Sequence, residues 1–178
     1  IAKQLLLLFG IEVFGYVLEL GGERIDPPPY FFEETTPDAW RAIRDASEVY
    51  SLDPARDKQV KALIDEAGKD GDTLGGILET RVVGLPFVLG THAQWDQKLD
   101  GRIAQAVMAV QAIKGVEIGL GFESARLRGS EVHDPIKYDE GSRRTPNLGY
   151  VRPTNNAGGL EAGMTNGQPI IVRAAKKP

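Results

Sequence analysis

The sequence predicts a mixed fold of helices and strands in one domain, residues 1–178, and three observations carry that expectation. Two runs rich in β-branched and aromatic residues, 11–20 (IEVFGYVLEL) and 75–84 (GGILETRVVG), are bounded by glycine or proline, as strands are. Two stretches repeat apolar residues at helical spacing: Val60, Leu63, Ile64 and Ala67, then Leu99, Ile103, Ala106, Val107 and Val110. The last stretch, 154–178, sets Gly158, Gly159, Gly163 and Gly167 ahead of a short apolar strand at 170–172.

Taken in order, residues 1–9 read as the tail of a helix stopped by Gly10, a C′ glycine. The strand at 11–20 follows, closed by Gly21 and Gly22. Three consecutive prolines at 27–29 continue neither element. One helix is expected at 37–48. The next opens on Asp53 as N-cap with Pro54 at the first helical position, and ends in the GKDGD run containing Gly68 and Gly71. The strand at 75–84 sets Leu78, Thr80 and Val82 on one face and Ile77, Glu79, Arg81 and Val83 on the other, closed by Pro86 and Gly90. A helix is expected at 96–112, then a short strand at 115–118, a polar segment to about residue 152, and the glycine-rich strand pair.

Composition narrows the function. Apolar residues make up 42% and charged residues 26% of the 178, the balance of a soluble globular protein. A net charge of −4 gives no global basic field for nucleic acid or an anionic membrane, so an anion site must be local. The absence of cysteine removes disulfides, thiol nucleophiles and thiolate metal sites, which suits a reducing compartment. The apolar run 5–9 is too short for a membrane span and lacks the flanks of a signal peptide. The chain starts on Ile1 rather than Met, within an apolar pattern, and is expected to be a fragment.

Common catalytic signatures are missing: no P-loop, no H-E-x-x-H, and Ser124 stands where a G-x-G-x-x-G starting at Gly119 needs its third glycine. His92 and His133 are too few and too separate for a metal cluster, so no metal is expected. His133-Asp134 resembles half a triad, although such a pair in a polar loop is usually solvated. Glu79, Glu117 and Glu161 are acid–base candidates, weighed against the structural roles usual for strand and loop glutamates. The glycines at 158–167 allow successive N–H groups to converge on an anion, with Arg173, Lys176 and Lys177 as countercharge. The alternative is a glycine-rich hairpin with a solvated basic end.

Several ordered blocks resemble chorismate synthase. KLDGRIAQAVMAVQAIKGVEIG, then GF with RGSEVHD, then NNAGGLEAGMTNGQPIIVRAAKKP are similar to central and later blocks of that family. GDTLGGILE followed by GLPFVLG matches an earlier block, and IAKQLLLLFGIEV is similar to the helix after its flavin-binding arginine–serine segment. The resemblance implies an α+β fold with helices sandwiched between antiparallel β-sheets, here incomplete. It also implies a cytoplasmic homotetramer in the shikimate pathway that removes phosphate from 5-enolpyruvylshikimate 3-phosphate by trans-1,4 elimination, giving chorismate with reduced FMN. An inactive piece keeping only folding or oligomer contacts is the alternative.

Residue by residue, Gln111 and Ala112 match an FMN-contacting pair after the long helix. Lys177-Pro178 match the lysine–proline that opens a cofactor loop, and Ala162 stands at an FMN contact that is usually glycine. Lys176 replaces a methionine and Leu120 an aspartate. The resemblance places the family's two catalytic histidines and substrate-phosphate arginines before the equivalent of Ile1, so no catalytic residue is assigned here. Neither His92 nor His133 takes that role.

Overall fold

The computed structural model describes residues 1–145 and 147–178. Helix α1 (Ala2–Leu7) ends as its glycine foretells: Gly10 is left-handed at φ 71°, and the N–H groups of Gly10 and Ile11 return to the carbonyls of Leu7 and Leu6. Strand β1 (Glu12–Leu20) alternates, burying Phe14, Tyr16 and Leu18, and turns into the short β2 (Glu23–Arg24). A single turn, α2 (Phe31–Glu34), precedes α3 (Pro37–Ala46), whose N-cap Thr36 accepts from Ala39 N–H.

Helix α3 stops two residues short of the expected end. Ser47 turns extended, and its hydroxyl oxygen accepts from the N–H groups of Val49 and Ser51. That local bonding competes with another helical turn. Asp53 caps a 3₁₀ turn, Pro54–Arg56, which leads into α4 (Asp57–Lys69). Strand β3 (Gly76–Val83) follows.

The next helix, α5 (Leu99–Met108), is shorter at both ends than expected. Trp95–Gln97 form a separate 3₁₀ turn, and Lys98 before the helix has ψ 131°, outside the helical range. Its C-terminal end is set by the reversal into β4 (Ile113–Ile118), for which Ala112 adopts φ 69°. Leu99, Ile103 and Val107 pack inward as their spacing foretells, but Ala106 and Val110 are exposed. Gln111 and Ala112 therefore sit in a turn, not at a helix end.

The polar segment holds a one-turn helix, α6 (Gly129–Val132), and the antiparallel pair β5 (Lys137–Tyr138) and β6 (Tyr150–Val151). The glycine-rich end forms the hairpin β7 (Leu160–Glu161) and β8 (Met164–Thr165), then β9 (Ile170–Lys176), longer than the apolar run alone suggests. The main sheet has the order β2-β1-β3-β9-β4. Bonds from Gly119 N–H to Ile171 O and from Lys177 N–H to Ala112 O make β4 and β9 antiparallel.

By contacts, the chain divides into two units. One comprises Ile1–Val13, Arg81–Ala109 and Val116–Val172. Its core is Leu160, Ile170 and Val172 against Val82, Leu99, Ile103 and Val107. Buried Thr165 ties the segment after β3 to the hairpin, donating to Pro86 O at 2.6 Å and accepting from Leu89 N–H at 2.8 Å. The other comprises Phe14–Thr80, Val110–Gly115 and Arg173–Pro178. Its core joins Ile25, Val49 and Val60 to Leu20, with Trp40 edge-on to Phe32 and 5.7 Å from Phe14. Val60 is fully buried, which contributes about 1.5–3 kcal/mol.

Candidate functional site

Four of the five residues expected at a cofactor fall in the second unit, and the backbone brings two of them together. The left-handed Ala112 presents its carbonyl to Lys177 N–H at 2.9 Å. The turn bearing Gln111 is thereby held beside the end of β9, with the side chains of Gln111, Lys177 and Pro178 all exposed. Gly75 lies against the same end: a Cβ there would meet Lys176 O at 2.6 Å and Pro178 Cδ at 2.9 Å. Only glycine fits so close to that backbone. The GDTLGG run and the KKP run, far apart in sequence, are thus neighbours.

Beside them is a cavity of about 600 Å³. Val17, Leu20, Ile64, Ala67 and Leu78 give it apolar walls, and Lys176, Asp72 and Glu19 supply charge. Lys176 and Pro178 line it; Lys177 is not among the lining residues. Apolar walls with a few charged groups are the usual lining of a small-molecule site.

Ala162 belongs to the first unit. It takes the first turn position of the β7–β8 hairpin at φ 51°, followed by Gly163 at φ 81°. Two successive left-handed residues define a type I′ turn, a geometry that favours glycine at both positions. Ala162 holds it at a steric cost.

The glycines at 158 and 159 do not form an anion cradle. Gly158 N–H donates to Asn155 O and Gly159 N–H to Asn155 Oδ1, so both donors are spent inside the chain. Their function is close approach: a Cβ on Gly158 would come within 2.3 Å of Gly119 N.

The carboxylate candidates prove structural. Buried Glu79 accepts from Tyr16 OH at 2.7 Å, Glu117 from Phe122 N–H at 3.0 Å, and Glu161 from Arg152 and from Asn166, each at 2.9 Å. His92 and His133 are exposed. The residue that matters in the His133-Asp134 pair is the aspartate, which the sequence offers only as the partner in a half triad. Its carboxylate accepts from Thr154 Oγ1 at 2.6 Å, Asn156 N–H at 2.8 Å and Ala157 N–H at 2.9 Å. Partial burial opposes its charge, but the Thr154, Ala157 and Asn156 hydrogen bonds and the nearby Arg152 outweigh it, holding the pKa below the usual value. A second unforeseen clamp is Asp57, which accepts from Ser47 Oγ and Glu48 N–H. Two serines and an aspartate near a helix start are its only sequence signal. Among the described residues no group of three or more His, Cys, Asp or Glu could hold a metal ion, and no helix is long and apolar enough to cross a membrane.

The chorismate synthase family profile matches residues 1–178, the whole chain. The chain belongs to the chorismate synthase family. It is 51% identical over 179 residues to chorismate synthase of Trichlorobacter lovleyi, covering all of this chain and 44% of that protein. It is 49% identical to the Geobacter sulfurreducens chorismate synthase over the same length, with the same coverage. The Brevibacillus brevis chorismate synthase is 48% identical over 178 residues, all of this chain and 43% of the other. A crystal structure of chorismate synthase superposes with a TM-score of 0.88 at 44% identity, covering 99% of this chain and 52% of that one. That likeness bears out the α+β sandwich class expected for the family. The chain spans about 44% of the length of the curated chorismate synthases it matches.

Proposed function

We propose that this chain is part of a cytoplasmic, homotetrameric lyase that converts 5-enolpyruvylshikimate 3-phosphate to chorismate with reduced FMN. The observation that carries this is identity near 50% to chorismate synthases along the full 178 residues. Gln111, Ala112, Ala162, Lys177 and Pro178 are the residues we assign to FMN.

The donor set fits such a group. An exposed amide and an exposed ammonium, on two segments joined by the Ala112–Lys177 backbone bond, suit a heteroaromatic edge and a phosphate. Reduced FMN, when bound, supplies transient electron density that helps expel phosphate. The protein's part is to bind, orient and keep out water. Lys177 offers a point charge to the phosphate, and the Gln111 side chain offers both a donor and an acceptor to the ring edge. The Ala112 carbonyl, already accepting from Lys177, keeps the turn in place. The Ala162 turn presents backbone at a hairpin tip. No proton transfer is assigned to this chain: its two histidines are exposed, and Glu79, Glu117 and Glu161 are engaged in hydrogen bonds within the fold.

The test is anaerobic chorismate formation from 5-enolpyruvylshikimate 3-phosphate and reduced FMN, by an enzyme of family length carrying this sequence. Chorismate is the expected product, and its absence would refute the assignment. In the same enzyme Lys177→Ala should weaken FMN binding much more than riboflavin binding, because a phosphate contact is charge-assisted. Equal weakening of both, by fluorescence titration, would remove Lys177 from the phosphate site.

A further inference from the structure

We propose that Asp134 is a positioning residue whose carboxylate fixes the 154–158 loop and, through it, the β7–β8 hairpin that carries Ala162. The part of this inference that concerns FMN rests on the function proposed above.

Three donors converge on one carboxylate from a segment about twenty residues further on. Thr154 Oγ1 and Asn156 N–H reach Oδ1, and Ala157 N–H reaches Oδ2. Two of the three are backbone amides, so the carboxylate sets the path of the main chain. The α6 turn adds a fourth link, Asn156 Nδ2 donating to Glu131 O at 3.1 Å.

From this anchor the order passes on through contacts that leave little room. Leu120 N–H donates to Asn156 O at 2.9 Å, and Gly119 faces Asn156 and Gly158 so closely that a Cβ there would lie 2.2 Å from Asn156 O. Asn155 then spans the glycine turn, accepting from Gly159 N–H and donating to Pro169 O, each at 2.8 Å. Asn166 N–H closes the base of the hairpin on Gly159 O at 3.0 Å. Arg152 braces its outer side, bound to Asn166 O and to the Glu161 carboxylate. The 154–158 loop thus reaches the base of the hairpin on both arms, at Gly159 before β7 and at Asn166 after β8. The tip is held from the other side as well, by Leu99 N–H donating to Gly163 O at 2.9 Å and by the Gly90–Met164 bridge, so base and tip together fix the strained Ala162.

Asp134→Asn is the discriminating change, because it keeps the shape and one acceptor oxygen but turns an amide NH₂ toward a donor. The experiment uses the family-length enzyme and reads two quantities: amide hydrogen exchange over residues 154–166, and the dissociation constant for FMN. Asp134→Asn is expected to speed exchange there and to raise the FMN dissociation constant, each by about tenfold, the loss of hydrogen bonds to a charged acceptor. Thr154→Val removes one donor and keeps the other two, and should move both quantities the same way by a smaller factor. It stands in if Asp134→Asn does not fold. Unchanged exchange would overturn the inference. Faster exchange with unchanged FMN affinity would reduce Asp134 to a structural residue and overturn its positioning role. If the parent enzyme itself fails to bind FMN, the cofactor assignment falls first. If the parent binds FMN and the variants bind it equally well, only the positioning inference falls.

Discussion

Gly158→Ala and Gly101→Ala should change stability in opposite directions, although the two substitutions are chemically identical. At Gly158 the backbone has φ 63°, and an added Cβ would meet Gly119 N at 2.3 Å and Gly119 Cα at 2.5 Å. A left-handed alanine costs about 1–2 kcal/mol. Separating two backbone segments by most of an ångström adds about 1–3 kcal/mol, the usual cost of overpacking. Lower freedom in the unfolded chain returns about 0.4–1 kcal/mol. The net loss is about 1–5 kcal/mol. Gly101 lies inside α5, and the nearest group to its Cβ would be Trp95 O at 3.9 Å, ordinary contact. There alanine should gain about 0.5–1 kcal/mol through helix propensity. Denaturant midpoints of the family-length enzyme and the two variants give the comparison. A Gly158→Ala midpoint at or above the parent's would refute the close approach of Gly158 to Gly119, and with it the reason for glycine there.

Other outcomes follow from the same structure. His133→Asn should leave turnover within about tenfold of the parent, whereas loss of a positioned acid–base group costs about 10²–10⁴-fold; a larger drop with FMN affinity intact would restore a catalytic role. Ala162→Gly combined with Lys176→Met should tighten FMN binding and raise chorismate formation, since the first relieves a left-handed alanine and the second removes a charge from an apolar-walled cavity. No gain in either quantity would show that both residues are tolerated as they stand. Asp134 should also give stability a pH signature. Its folded pKa is lowered, so its contribution is complete above the unfolded carboxylate value of about 3.9 and is lost as pH falls through the folded value. The stability gap between the parent and Asp134→Asn should therefore be full at neutral pH and shrink in acid, and a gap independent of pH would contradict an ionised clamp.

The sequence by itself determined what is local. The alternation of Phe14, Tyr16 and Leu18 made β1, and the stripe through Val60, Leu63 and Ala67 made α4, because side-chain periodicity is a property of neighbouring residues. Ile64 of the same stripe stays exposed. Gly10 ended α1, and Asp53 with Pro54 opened the turn into α4, for the same reason. Ordered blocks shared with one family named the residues of the candidate site, but not their arrangement. Tertiary structure helped decide where α3 and α5 stop, since Asp57 reinforces the local Ser47 turn and Ala112 must reverse the chain into β4. It also paired Ala112 with Lys177, laid Gly75 against Pro178, and gave the glycines at 158 and 159 to backbone packing rather than to an anion. It made Asp134, not its histidine neighbour, the group on which the 154–158 loop depends. These are contacts between residues distant along the chain, set by which backbone donors and acceptors burial leaves to be satisfied, and no local pattern encodes that pairing.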